Sequence, residues 1–265
     1  MSNTLTHNIG DDLERADNTH EQEMFQYFDD GEYEQDVDDL DQNIVLLREI
    51  VAPVIIEGKK FLTDGQLDLI NAVLPHIRSG EVSKAVKFLF KKFKEVNLSY
   101  EERYQLFHLL GVTYSQAGKT NLAIDSYQSA IDIVKGKQNQ LYVYQTYACI
   151  GVILFRNFGD LTQALEYAEK ALTCNRTVAS PYVLKMNVLL MQGNAFEFEA
   201  TLKSCRDLIV RSLASDVVEF LGILLERFES DPFLEDWTKL SNYQECNEIL
   251  SELRQWSVSG KSEFA

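Results

Sequence analysis

Gly118-Lys119-Thr120 ends like a phosphate-binding loop, in which a lysine and a hydroxyl follow a glycine-rich curl whose backbone N–H groups converge on phosphate. That chemistry needs a first glycine five residues before Gly118, where Thr113 stands, and Gly111 lies two residues too early. The context differs as well: Tyr104, Phe107, Leu110 and Tyr114 recur at helical spacing, where such a loop requires a buried strand. Of the four histidines, His7 and His20 fall in an acidic stretch, and His76 and His108 have no Cys or carboxylate placed to build a triad or a metal site. Cysteines 149, 174, 205 and 246 are far apart with no Cys-x-x-Cys, which reads as buried structural thiols rather than a zinc site or a disulfide framework. The richest basic cluster, Lys84, Lys87, Lys91, Lys92 and Lys94, has the spacing of the solvated face of an amphipathic helix rather than of a nucleic-acid surface. The chain therefore reads as non-catalytic, with no cofactor, no metal and no direct nucleic-acid contact.

The elements around these residues are helical. Four prolines and little Val/Thr/Ile alternation argue against an all-β fold, and 45% apolar content suits a globular body. Charge is uneven: residues 1–43 hold fourteen of the 41 Asp/Glu but only one of the 25 Lys/Arg, giving an acidic tail of net −13 on a near-neutral body. The tail reads as disordered, since its charge opposes compaction and few apolar groups offset it. Within it, Met24, Phe25, Tyr27, Phe28 and Tyr33 interrupt a run of acids, a composition that docks through a few aromatics. The start lacks a basic stretch and an apolar run of the secretory type, and the longest apolar run, Ile44 to Ile56, is too short for a membrane span and carries Arg48 and Glu49. A soluble, cytoplasmic protein is expected.

An internal repeat organises the body. One copy reads Phe107-x-x-Leu110-Gly111-x-x-Tyr114, then Gly118, then Ala123-x-x-x-Tyr127-x-x-Ala130. A second reads Tyr147-x-x-Ile150-Gly151-x-x-Leu154, then Gly159, then Ala164-x-x-x-Ala168-x-x-Ala171, with one extra residue at its turn. Gly111 and Gly151 would let two helices approach closely, the alanines form the facing small stripe, and Gly118 and Gly159 suit a left-handed helix end. Weaker copies contain Leu69, Val73, Gly80, Ala85 and Leu89 upstream, and Tyr182, Leu189, Gly193, Phe198, Leu202 and Cys205 downstream. Longer intervals between turn glycines imply extended helices or loops near residues 95–102 and 135–140. Capping boxes are expected at Ser99/Glu102 and Thr63/Gln66, and cap-then-proline starts at Ser180-Pro181 and Asp231-Pro232. Pro75 should kink its helix or displace its start. Cys246, Ile249, Leu250, Leu253 and Trp256 share one side of a C-terminal helix suited to cap the array.

These positions resemble the tetratricopeptide repeat (TPR) family. The resemblance implies an all-α, right-handed solenoid of antiparallel helix pairs over residues 44–258, with recognisable repeats at 66–96, 104–135, 144–175 and 179–211, a degenerate pair at 215–256, a C-terminal capping helix and the flexible tail at 1–43. It also implies a concave groove lined by the first helix of each pair. Carried onto this chain, the groove positions are Ile70, Leu74 and Arg78; Gln105, His108, Val112 and Gln116; Gln145, Ala148, Val152 and Arg156; Val183 and Asn187. Val112 and Val152 are expected to be more exposed than Leu110 and Ile150. The Lys and Asn pattern that clamps a terminal carboxylate in some relatives is missing, so the groove suits an apolar or amphipathic peptide. Some of these positions could instead be core, or Ile44 to Ile56 could lie in the groove as part of the fold.

The expected function is protein–protein interaction, adaptor- or chaperone-like, loosely similar to the acidic cytosolic chaperones of bacterial secretion systems. The rival is a regulator that senses a partner in the groove and acts on a transcription or signalling complex through its tail, which could also occupy the groove as an autoinhibitory peptide. Because the spacing rejects a phosphate loop at Gly118-Lys119-Thr120, calorimetric titration with ATP should show no binding that depends on Lys119. Micromolar affinity abolished by Lys119→Ala would overturn this reading.

Overall fold

The computed structural model describes residues 61–95, 97–137, 141–211, 244, 246–253 and 255. Residues 1–60, most of the degenerate pair at 215–256 with Asp231-Pro232, and Trp256 lie outside these, as does the whole tail motif. The described residues form helices and connecting turns with no strand among them. In chain order the helices are α1 (Asp64–Ser79), α2 (Val82–Phe93), α3 (Tyr100–Gln116), α4 (Thr120–Val134), α5 (Tyr144–Ile153), α6 (Leu161–Cys174), α7 (Ser180–Met191) and α8 (Ala195–Arg211). Residues 246–253 are also helical. Contacts divide the described residues into two compact units, one of residues 68–136 and one of 61–67 together with those from 137 onward.

In the first unit α3 lies against α4, and α2 packs on α3. The helices stop where their sequences cannot continue. Gly118 adopts φ +70°, its N–H donates to the Ser115 carbonyl at 3.1 Å, and Lys119 N–H reaches back to the Tyr114 carbonyl at 2.9 Å. Gly80 repeats the motif with φ +76° and bonds to Ile77 and from Glu81 to His76. A residue with a Cβ would be strained in that left-handed conformation, so glycine is what lets each hairpin turn so tightly. Ser99 and Glu102 form the reciprocal capping box that starts α3, each side chain bonding the other's backbone N–H, at 3.2 and 2.8 Å. Thr63 and Gln66 do the same ahead of α1.

In the second unit α5 pairs with α6 and α7 with α8, and α7 also packs on α5 and α6. The extra residue at the second repeat's turn is absorbed as a π-helical end, Leu154–Phe158, before Gly159 at φ +64°. Its returning bond accordingly runs six residues, from Asp160 N–H to the Leu154 carbonyl at 3.1 Å, where the other turns use five. Phe61 meets Tyr144 edge-on, 6.5 Å between centroids, beside the buried Ala148, Ala171 and Val178. The C-terminal helical stretch buries Cys246, Ile249, Leu250 and Leu253, and Glu252 pairs with Arg206 of α8.

One expectation is corrected and one is narrowed. Pro75 does not displace the start of α1, which runs through it to Ser79. Pro75 and Asn71, whose carbonyl loses its helical partner, are both on the exposed side, where water can serve that oxygen. Ser180 is the first helical residue rather than the cap, because the Ala179 carbonyl already accepts from Val183 N–H at 3.1 Å.

The close approach of α3 and α4 rests on Gly111. A Cβ there would stand 2.6 Å from two carbons of the Tyr127 ring, which is fully buried. Gly111→Val is expected to cost about 3 kcal/mol by overpacking. Gly118→Ala meets nothing within 4 Å and should cost only the left-handed penalty, about 1 kcal/mol. Urea denaturation of the two variants checks the order; equal losses would place the constraint in the turn rather than in the helix contact.

Candidate partner-binding site

The helices expected to line a groove are buried nearly all round. In α3 every residue from Tyr104 to Gln116 is buried, which explains its weak amphipathicity: one face meets α4 and the opposite face is covered too. Gln105, His108, Val112 and Gln116 recur once per turn along one side of α3 and all four are buried, His108 beside the Tyr127 ring of α4. Val112 is 0% exposed, as is Leu110, so the expected difference between them is absent. Val112→Asp would bury a carboxylate and act on folding rather than on binding alone. On α1, Ile70 and Leu74 are buried and Arg78 is exposed.

In the second unit Gln145, Ala148, Val183 and Asn187 are buried, while Val152 and Arg156 are half-buried. Val152 is thus more exposed than Ile150, in the expected direction. The covered positions are dominated by neutral groups, as burial demands. Gly151 holds the neighbourhood tight, since a Cβ there would lie 2.8 Å from Leu184 of α7 and 3.3 Å from the Ala164 carbonyl.

The polar members of these stripes define what the site can do. Gln105 is fully buried and neither amide atom has a hydrogen-bond partner; Gln145, six residues before Gly151 as Gln105 is before Gly111, is in the same condition. Asn187 donates to the Val183 carbonyl at 2.9 Å, and Thr113 to the Leu109 carbonyl at 2.7 Å. Burial also silences the thiols: Cys149, Cys205 and Cys246 are buried, Cys174 is half-buried, none of the four forms a disulfide, and burial pushes Cys205 up to about 12. Among the described residues no cluster of three His, Cys, Asp or Glu could hold a metal ion, and no helix is long and apolar enough to cross a membrane.

Sequence spacing did not disclose two features. Asp160 and Asn194 cap α6 and α8, their side chains accepting from Gln163 and Glu197 N–H at 2.9 and 3.3 Å; the signal was an Asp or Asn directly after a turn glycine. Lys185 of α7 bonds Glu169 of α6 and Glu197 of α8, the latter at 2.9 Å. Burial draws its ammonium down, and the two carboxylate hydrogen bonds outweigh this and raise it. No helical period connects residues on three helices.

His108 stacks on Tyr104 at 5.9 Å and lies 5.5 Å from the Tyr127 ring, and burial lowers it from 6.5 to about 3. The folded state therefore holds it neutral while the unfolded chain protonates it below 6.5. Unfolding then takes up a proton between pH 6.5 and 3, so its full contribution is present above pH 6.5 and stability falls as pH drops through that window. The expected loss is about 2 kcal/mol by pH 5. Urea melts at neutral pH and at pH 5 should show this slope in the wild type and a smaller one in His108→Gln; an unchanged slope would mean that His108 is protonated in the fold.

No curated protein matches the chain in sequence. Helix pairs closed by left-handed glycines, with small residues where α3 meets α4, are the local geometry of a helical repeat, and residues 104–133, spanning most of α3 and α4, match the tetratricopeptide repeat family.

Proposed function

We propose that this chain is a non-catalytic protein-interaction module, adaptor- or chaperone-like, that receives an apolar or amphipathic segment of a partner protein along the Gln105, His108, Val112 and Gln116 stripe of α3. The observation that carries this reading is the Gln105 amide, buried with both polar atoms unpaired. Such groups cost about 1 to 3 kcal/mol each when left unsatisfied. A primary amide offers one donor side and one acceptor side, which is what an extended peptide backbone presents in return. Gln145 gives the second unit the same device. The neighbouring Val112 and neutral His108 favour apolar or uncharged side chains on the incoming segment.

Because the stripe is covered in the free chain, binding on this reading is an exchange of one cover for another, and association is slower than simple docking. Four cysteines outside any disulfide suit a reducing compartment, and a cytoplasmic location is part of this reading. A regulatory role is the second reading, favoured by the acidic and aromatic composition of the tail around Met24, Phe25, Tyr27, Phe28 and Tyr33, which suits contact with a basic surface.

The test is selection of peptides from a displayed random library on the full chain, followed by calorimetry and melting of Gln105→Leu. That variant removes the unpaired amide at nearly constant volume. It should keep or raise the melting temperature and yet weaken peptide binding about tenfold, equivalent to roughly 1.4 kcal/mol. Selection of no peptide, or binding indifferent to Gln105→Leu, would overturn the proposal.

A further inference from the structure

The basic face of α2 is the largest concentration of one charge among the described residues, and its placement differs from that of the buried stripes. Lys84, Lys87, Lys91 and Lys94 are all exposed and follow one another at intervals of three, four and three residues, a line along one side of the helix. The opposite side is core, with Val82, Ala85, Val86, Leu89 and Phe90 buried. Lys92 stands beside this line, bonded to Glu95 at 2.7 Å and 6.0 Å from the Phe88 ring, which is itself half-buried. The five lysines lie within eleven residues, a fifth of the chain's Lys and Arg. Residues 68–137 as a whole hold ten Lys/Arg against seven Asp/Glu, in a chain whose net charge is −16.

The chain's negative charge is concentrated elsewhere in the same polypeptide. Residues 21–41 contain ten Asp/Glu and no Lys or Arg, with Met24, Phe25, Tyr27, Phe28 and Tyr33 among them. We propose that this acidic segment docks on the lysine face of α2 within its own chain, its carboxylates paired with Lys84, Lys87, Lys91 and Lys94 and an aromatic side chain laid over Phe88. Exposed ion pairs are individually weak, and a long linear stripe of them needs no fixed fold in its partner. Tethering supplies what the single pairs lack: a covalent connection of this length raises the segment's effective concentration to the order of millimolar, so an affinity of about 1 mM is enough to occupy the face half of the time. The roughly twenty residues between Asp41 and Phe61 reach up to about 70 Å when extended, so chain length does not prevent the contact. The consequence is a surface that an external polyanion or acidic partner reaches only by displacing the tail. The contact involves α2 alone and stands apart from the peptide stripe of α3.

Zero-length carbodiimide cross-linking of the full chain, read by mass spectrometry, tests this. Lys84 with Glu81 at 2.5 Å and Lys92 with Glu95 are built-in references for the chemistry. Links should join Lys84, Lys87, Lys91 and Lys94 to acids of residues 21–41, and fall about fivefold or more when salt is raised from about 0.01 M to about 1 M, which shortens the screening length from about 30 Å to 3 Å. Reversing the middle of the line, Lys87→Glu with Lys91→Glu, should lower the yield at the untouched Lys84 and Lys94 about threefold or more while the melting temperature stays near the wild-type value. Tail links spread evenly over Lys119, Lys135 and Lys203, links insensitive to salt, or no links at all while the two references react, would overturn the proposal. In an equal mixture of light and isotope-labelled protein, links mainly between the two forms would assign the face to a second copy instead and overturn the same-chain contact.

Discussion

The contact between the backbone of α3 at Gly111 and the ring of Tyr127 on α4 is the constraint on which the first unit depends. With no side chain at Gly111 the aromatic ring lies directly on the helix backbone, and the buried Ala123 and Ala130 allow the rest of α4 to follow at the same short distance. Dispersion between such close surfaces is summed over many atoms, and it is lost steeply when a gap opens. The turn at Gly118 serves this contact by reversing the chain in few residues. In the second unit Gly151 does the same service toward two helices at once, the side chain of Leu184 on α7 and both the Ala164 carbonyl and Tyr167 Cβ on α6.

Close packing on one face has a consequence for the other. A helix pressed against its partner and covered on its opposite side has no aqueous surface, so polar side chains carried along it must be satisfied internally, held neutral or left wanting. All three outcomes occur on these helices: Thr113 bonds its own helix, His108 is kept uncharged by burial, and Gln105 has no partner for its amide. The proposed peptide contact rests on this unsatisfied amide, since a peptide backbone would supply both a donor and an acceptor. On that reading a partner competes with this chain for the stripe.

Charge is distributed by a different rule. Lysines occupy the outer face of α2, where long side chains keep their ammonium groups in water while their stems cover apolar surface. Lys185 is the exception, held between Glu169 and Glu197 and tying three helices together. Buried-side neutrality and outer-face charge thus separate two surfaces of different chemistry.

Much of this was legible in one dimension. Glycines 80, 118, 159 and 193 all adopt positive φ, as expected of the turn that each was assigned, because no other residue enters that conformation without strain. The Ser99 and Thr63 capping boxes, the small stripe of alanines and the apolar side of the C-terminal helix were legible for the same reason: each is a local rule, settled by residues within a turn or two of one another. Which faces are covered was decided by tertiary structure. Gln105, His108 and Gln116 look like an open, wet face in the sequence because polarity at helical spacing normally marks solvent, and a sequence pattern cannot distinguish a polar face in water from a polar face under another segment. How α1 accommodates Pro75 was likewise a tertiary matter, since its cost depends on whether the carbonyl it orphans faces water. Lys185 with its two carboxylates was invisible, because residues on three helices are brought together only by the packing of the helices that carry them.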